Sequence, residues 1–124
     1  MKIGEVSRLL ETQVHVLRYW DEIGVVSPRR TSVGHRDYSD EDLYRLRVLH
    51  ACRRVGMSLS EIRLVLHRRE PDRAAVIEHR LAAIRTQRAE LEASERFLVH
   101  VISCTHDLLT RCDQCIVFVA DRPG

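Results

Sequence analysis

The feature that most constrains this chain is a stretch from Asp72 to Ile102 that contains neither glycine nor proline. Within it Ile77, Leu81, Ile84, Arg88, Leu91, Glu95, Leu98 and Ile102 recur at alternating spacings of four and three. That repeat sets the side chains on one narrow stripe of a long helix, the seam of a coiled coil. A chain of 124 residues has only a modest core of its own. The seam therefore calls for a second copy. Arg88 and Glu95 lie on it, where a charge is costly unless it faces a partner. Two copies running antiparallel about a two-fold near Leu91 or Glu92 would bring Arg88 of one to Glu95 of the other.

The rest of the composition narrows the field. The length leaves no room for a barrel enzyme or a doubly wound sheet, and five glycines with three prolines are too few for disorder. No apolar run reaches the roughly 18 to 20 residues of a membrane span, and the start has no signal-peptide stretch, so a cytoplasmic protein without a membrane partner is expected. The formal net charge of +2 does not by itself announce a nucleic-acid partner. Cys52 stands apart, whereas Cys104, Cys112 and Cys115 fall close together. In a reducing compartment such a cluster reads as metal or thiol chemistry before a disulfide framework.

Residues of about 3 to 10 carry Ile3, Val6, Leu9 and Leu10 at helical spacing. After a polar break with a possible cap at Thr12, a second short helix runs from Val14 to near Gly24. Two short helices across a tight turn make a helix-turn-helix candidate. The segment Val25 to Tyr38, punctuated by Pro28 and Gly34, reads as a small β-hairpin or wing. Ser39 caps a third helix with Asp40, Glu41 and Asp42 in its first turn, and Gly56 closes it. Ser58-Leu59-Ser60-Glu61 is a capping box for a fourth helix that stops before Pro71. The expected fold class is mainly α: a winged helix-turn-helix DNA-binding domain over 1–70, an antiparallel coiled-coil dimerisation helix over 71–102, and a cysteine loop and tail over 103–124.

Four segments stand in register along the chain. Ile3-Gly4-Glu5-Val6, Leu17-Arg18-Tyr19-Trp20-Asp21-Glu22-Ile23-Gly24, Gly34-His35-Arg36-Asp37-Tyr38-Ser39 and Gly56-Met57-Ser58-Leu59-Ser60-Glu61-Ile62, followed by the long helix, resemble the MerR (mercury-resistance regulator) family of bacterial transcription regulators. The resemblance covers residues 2 to 102. It implies a homodimer on promoter DNA whose effector makes it bend and untwist an over-long spacer, so that RNA polymerase can engage. It also implies that Arg18, Tyr19 and Arg36 contact backbone phosphates. Gln13 and His15, on the second helix, are candidates for base edges in a major groove. Arg29 and Arg30 lie outside the motif and are either further phosphate contacts or a solvated turn. Trp20 is expected in the core.

Drug-sensing relatives append a large ligand domain, and only about twenty residues follow the long helix here, so an ion-sized effector or a redox change is expected. The separation of Cys104 from Cys112 resembles the copper-sensing branch, whose two thiolates hold a monovalent coinage-metal ion. This chain departs from that pattern: Cys104, His106, Cys112 and Cys115 offer four donors, a zinc-type set, and zinc is favoured over Cu(I) or Ag(I). The zinc- and mercury-sensing branches add a cysteine from the partner's dimer helix. Here only His79 could play that part. An iron-sulfur cluster fits three cysteines poorly, and a reversible disulfide is a further option. The bland reading makes the cysteines small buried apolar residues. Cys52 reads as structural, Asp107 and Asp113 as surface residues, and His50, His67, His79 and His100 as surface or interface histidines. No nucleophile, base and orienting group converge, so an enzyme is not expected. Two alternatives stay open: a DNA-binding regulator with a purely structural zinc site, and a dimeric metal- or thiol-binding adaptor without DNA binding.

Overall fold

A computed structural model describes residues 1–107 and 112–120. They form six helices and one two-stranded sheet: α1 (Ile3–Leu9), α2 (Val14–Glu22), β1 (Arg29–Arg30), β2 (Arg36–Asp37), α3 (Asp40–Arg54), α4 (Leu59–Leu66), α5 (Arg73–Ser103) and α6 (Asp113–Ala120). The chain divides into two compact units, Met1–Glu78 and His79–Gly124.

The first unit is built on the apolar faces of α1 to α4. Val6, Leu17, Trp20, Val25, Val26, Tyr38, Leu46, Leu49 and Ile62 form one buried cluster. Leu17 and Trp20 are three apart on α2 and turn inward together, which leaves His15, Arg18, Tyr19 and Glu22 on the opposite, solvent face. Between α1 and α2 the turn passes through Glu11 at φ 50°, and Gly24 at φ 75° follows α2. The expected cap at Thr12 is not made. Gln13 is the N-cap of α2, with no side-chain bond, and the Thr12 hydroxyl is engaged elsewhere: it donates to the Leu10 carbonyl at 2.9 Å and meets His50 Nε2 at 2.9 Å.

Strands β1 and β2 pair antiparallel, Arg29 with Asp37 and Arg30 with Arg36, around a turn in which the Gly34 amide reaches the Thr31 carbonyl at 2.9 Å. Gly34 sits at φ 86°, a conformation that favours glycine. The wing is also tied to the start of the chain. The Met1 ammonium bonds Asp37 Oδ1 at 3.0 Å and the Tyr38 carbonyl at 2.8 Å.

Both serine caps form as expected. Ser39 and Asp42 make a reciprocal capping box on α3, and Ser58 and Glu61 make one on α4. Gly56 follows the end of α3 at φ 87°. Helix α4 ends at Leu66, where His67 Nε2 bonds the Gly24 and Val25 carbonyls at 3.2 and 3.3 Å.

Helix α5 runs through the glycine-free stretch, and its seam is open to solvent in the single chain: Leu91 is 71% exposed, Leu98 60% and Ile102 88%. In the second unit the segment after α5 departs from the expected loop. Asp113–Ala120 is helical: Cys112 and Cys115, three apart, turn inward together, and Phe118 stacks on Phe97 of α5 at 4.2 Å. Residues 108–111 of the expected loop and the polar tail 121–124 lie outside the described residues. No described helix is long and apolar enough to cross a membrane.

Candidate nucleic-acid interface and metal centre

The first unit presents its cations on one side. Lys2, Arg8, Arg18, Arg30, His35 and Arg36 line an open cleft of about 460 Å³ in which Glu5 is the acid. Helix α1 contributes Arg8, α2 contributes Arg18, and the wing contributes the other arginines and His35. Of the expected DNA-contacting residues, the structure thus brings Arg18, Arg30 and Arg36 to one place. Gln13, His15 and Tyr19 are exposed on α2, and Arg29 is exposed at the wing. Lys2, Arg8 and His35 were not singled out by sequence. His35 lay within the wing motif and Lys2 and Arg8 beside the first one, and only the folding of the wing beside α1 and α2 brings them to one cleft.

Asp21 fixes that geometry. Its Oδ2 accepts from Arg36 Nε at 2.6 Å and from Arg30 at 3.4 Å, and its side chain is only 12% exposed. Arg36 is held nearly as deep, at 14% exposed. A charge-assisted bond of this length in partial shelter is among the stronger polar contacts a small domain has. One wing arginine is therefore a strut to α2 as well as a cation beside the cleft.

Trp20 is buried as expected and meets the His50 ring edge-on at 5.5 Å. Burial, then Arg54 and Arg53, pushes the His50 pKa below 6.5. Cys52 is half-buried, packs against the same core, and has its thiol pKa pushed up by burial.

In the second unit His100, Cys104, Cys112 and Cys115 each direct a ligand atom to one point, with all four atoms within 4.8 Å of one another. His100 and Cys104 are one helical turn apart, and the Cys104 amide still bonds the His100 carbonyl at 2.8 Å. Cys112 and Cys115 are likewise on one face, since the Ile116 amide bonds the Cys112 carbonyl at 2.9 Å and opens α6. Cys112 Sγ lies 3.4 Å from His100 Nε2. Cys112, just ahead of α6, and Cys115 within it are both buried. The Cys115 amide and then His100 hold Cys112 down to about 6, whereas burial, reinforced by Cys112, pushes Cys115 up to about 11. Cys112 is therefore the readier thiolate of the two. Three sulfurs and an imidazole at this separation fit a single soft or borderline metal ion. His106 stands outside the group. It is exposed, with Nδ1 3.8 Å from Cys104 Sγ. Asp113 is exposed on α6, and Asp107 is exposed as well.

The profile of the MerR HTH family of regulatory proteins matches residues 1–69, more than half of the chain, and a second profile described as MerR, DNA binding, matches 43–101. The chain belongs to the MerR family. Among MerR relatives, the HTH-type transcriptional regulator HmrR of Rhizobium leguminosarum bv. viciae is 33% identical over 112 residues, covering 86% of this chain and 87% of that one. The transcription regulator PbrR691 from Ralstonia metallidurans CH34, solved in complex with lead(II), superposes with TM-score 0.57 at 29% identity, over 94% of this chain and 98% of that one. HiNmlR, a MerR family regulator lacking the sensor domain and bound to promoter DNA, shares the fold with TM-score 0.64 at 22% identity, over 82% and 86%. This MerR chain is a transcription regulator, not an enzyme.

Proposed function

We propose that the chain acts as a homodimer on promoter DNA and changes its hold on that DNA when a metal ion occupies the thiol cluster. The division of labour is 1–70 for DNA, 71–102 for dimerisation and 103–124 for the effector. Membership of the MerR family supports the DNA role, as does the cleft shared by Arg18, Arg30 and Arg36. Gln13 and His15 on the open face of α2 read bases, Tyr19 and Arg29 add backbone contacts, and RNA polymerase is the partner at the promoter. The exposed seam of α5 supports the dimer, with Arg88 of one copy facing Glu95 of the other. Within one chain Arg88 sits 3.9 Å from Glu92, a loose contact that a seam partner would replace. The protein works in the cytoplasm.

The observation that carries the metal-responsive reading is the convergence of three cysteines and a histidine within 4.8 Å at the end of α5. Lead(II) in PbrR691 shows that a relative of similar length holds a heavy metal. Zinc is the favoured ion, because Cys3His is a common four-coordinate zinc set. Footprinting on the cognate promoter with and without zinc tests the reading. Metal-dependent distortion of DNA, with the dimer still bound, is the expected result. Metal held tightly with transcription unchanged would reduce the site to a structural staple, and no high-affinity operator would leave a metal-binding adaptor.

A further inference from the structure

We infer that His100 is the fourth ligand of the thiol site, so that one chain alone supplies a complete tetrahedral set for a divalent ion of the zinc class. The inference rests on the metal-responsive reading above and adds to it that His100, rather than His106, completes the set, and that the site is independent of the partner chain. The position follows from where the helix ends. His100 and Cys104 lie on one face of the last turn of α5, and Cys112 and Cys115 lie on one face at the start of α6. The two pairs face each other, two donors from each helix end. Their mutual separations, all within 4.8 Å and down to 3.4 Å for Cys112 Sγ and His100 Nε2, suit a tetrahedron. Zn–S bonds of about 2.3 Å and Zn–N bonds of about 2.0 Å put neighbouring donors roughly 3.5 to 3.8 Å apart.

His106 is the other histidine nearby, with Nδ1 3.8 Å from Cys104 Sγ, but it is His100 whose ligand atom lies within 4.8 Å of all three sulfurs. A linear two-thiolate site for a monovalent ion would need its other donors held away. Here an imidazole and a third thiol crowd the same point. With four donors present, no position is left for the partner's dimer helix to fill.

The test uses the full-length dimer under reducing conditions, with cobalt(II) as a visible probe and zinc(II) as competitor. One cobalt per chain with intense tetrahedral ligand-field bands, displaced by zinc, is expected of the wild type. His100→Ala should lose those bands and weaken binding by more than the ~10- to 100-fold typical of losing an outer-shell partner. His106→Ala should keep both spectrum and affinity. His100→Cys should restore tetrahedral binding with a stronger sulfur-to-cobalt charge-transfer band, which a merely structural histidine would not do. A wild type that binds no cobalt would overturn the metal-responsive reading together with this one. A wild type that binds normally, with His100→Ala unchanged or His106→Ala impaired instead, would overturn the assignment of His100 alone. One cobalt shared between two chains would overturn the single-chain site.

Discussion

Asp21 concentrates much of what the first unit needs, because a single carboxylate holds two of the three wing arginines, Arg30 and Arg36, against α2. Asp21→Asn keeps the shape but leaves Arg36 sheltered without its counter-charge, and the loss should be about 1.5–3 kcal/mol by the measure of hydrogen bonds to charged groups. A urea melt of the variant with an unchanged midpoint would count against the strut; operator affinity should fall with stability, since the cleft arginines lose their spacing. His50 gives a pH signature. Its pKa lies below the unfolded value of 6.5, so the unfolded chain takes up a proton more readily than the folded one. Stability is then flat above about pH 6.5 and declines as the pH drops from there toward the folded pKa. His50→Gln should flatten that decline, which thermal melts across pH would show. Sequence pointed to Arg18 and Arg36 through their motif, but no spacing announces that Arg36 is shared between cleft and carboxylate. His50 and Thr12 are 38 positions apart, and only folding makes them neighbours.

At the level of elements, the caps were the most legible part of the sequence. A serine hydroxyl three residues before a carboxylate, just ahead of an apolar stripe, has few other uses, and Ser39 and Ser58 both serve that way. Ser58→Ala should cost about 1 kcal/mol, read as a lower melting temperature, while Ser60→Ala on the same turn should cost far less. Helix α6 was less legible. Its apolar residues run consecutively from Ile116, a pattern that periodicity alone does not assign. The stack of Phe118 on Phe97 and the anchoring of Cys112 and Cys115 decide it. His100 reads in the sequence as a surface or interface histidine for a related reason: it has no ligand spacing to the loop cysteines, whereas a helix carries a donor one turn back to the same point.

For the molecule as a whole, the long seam was readable from spacing, and the structure leaves Leu81, Leu91, Leu98 and Ile102 of it exposed along α5. A soluble chain does not keep such a stripe in water. Leu98→Asp should convert the dimer to monomer in sedimentation at micromolar concentration, and the wild-type melting temperature should climb with protein concentration. A monomeric wild type, or a variant that stays dimeric, would count against the seam. The wing and the thiol cluster were foreseen as regions, because residue types alone suggested their chemistry. Their final partners depended on which helix ends came together, and that is a property of packing.

Trp20 is the one tryptophan of the chain, buried in the first unit against His50, while every donor of the thiol cluster lies in the second. Zinc, with a filled d shell, has no colour or redox activity of its own. Indole emission during a zinc titration therefore reports on the first unit alone, whereas the proposed donors all belong to the second. Any change in it that saturates with zinc measures a message sent along the protein, and a flat trace at full occupancy says that the ion acts without disturbing the surroundings of Trp20.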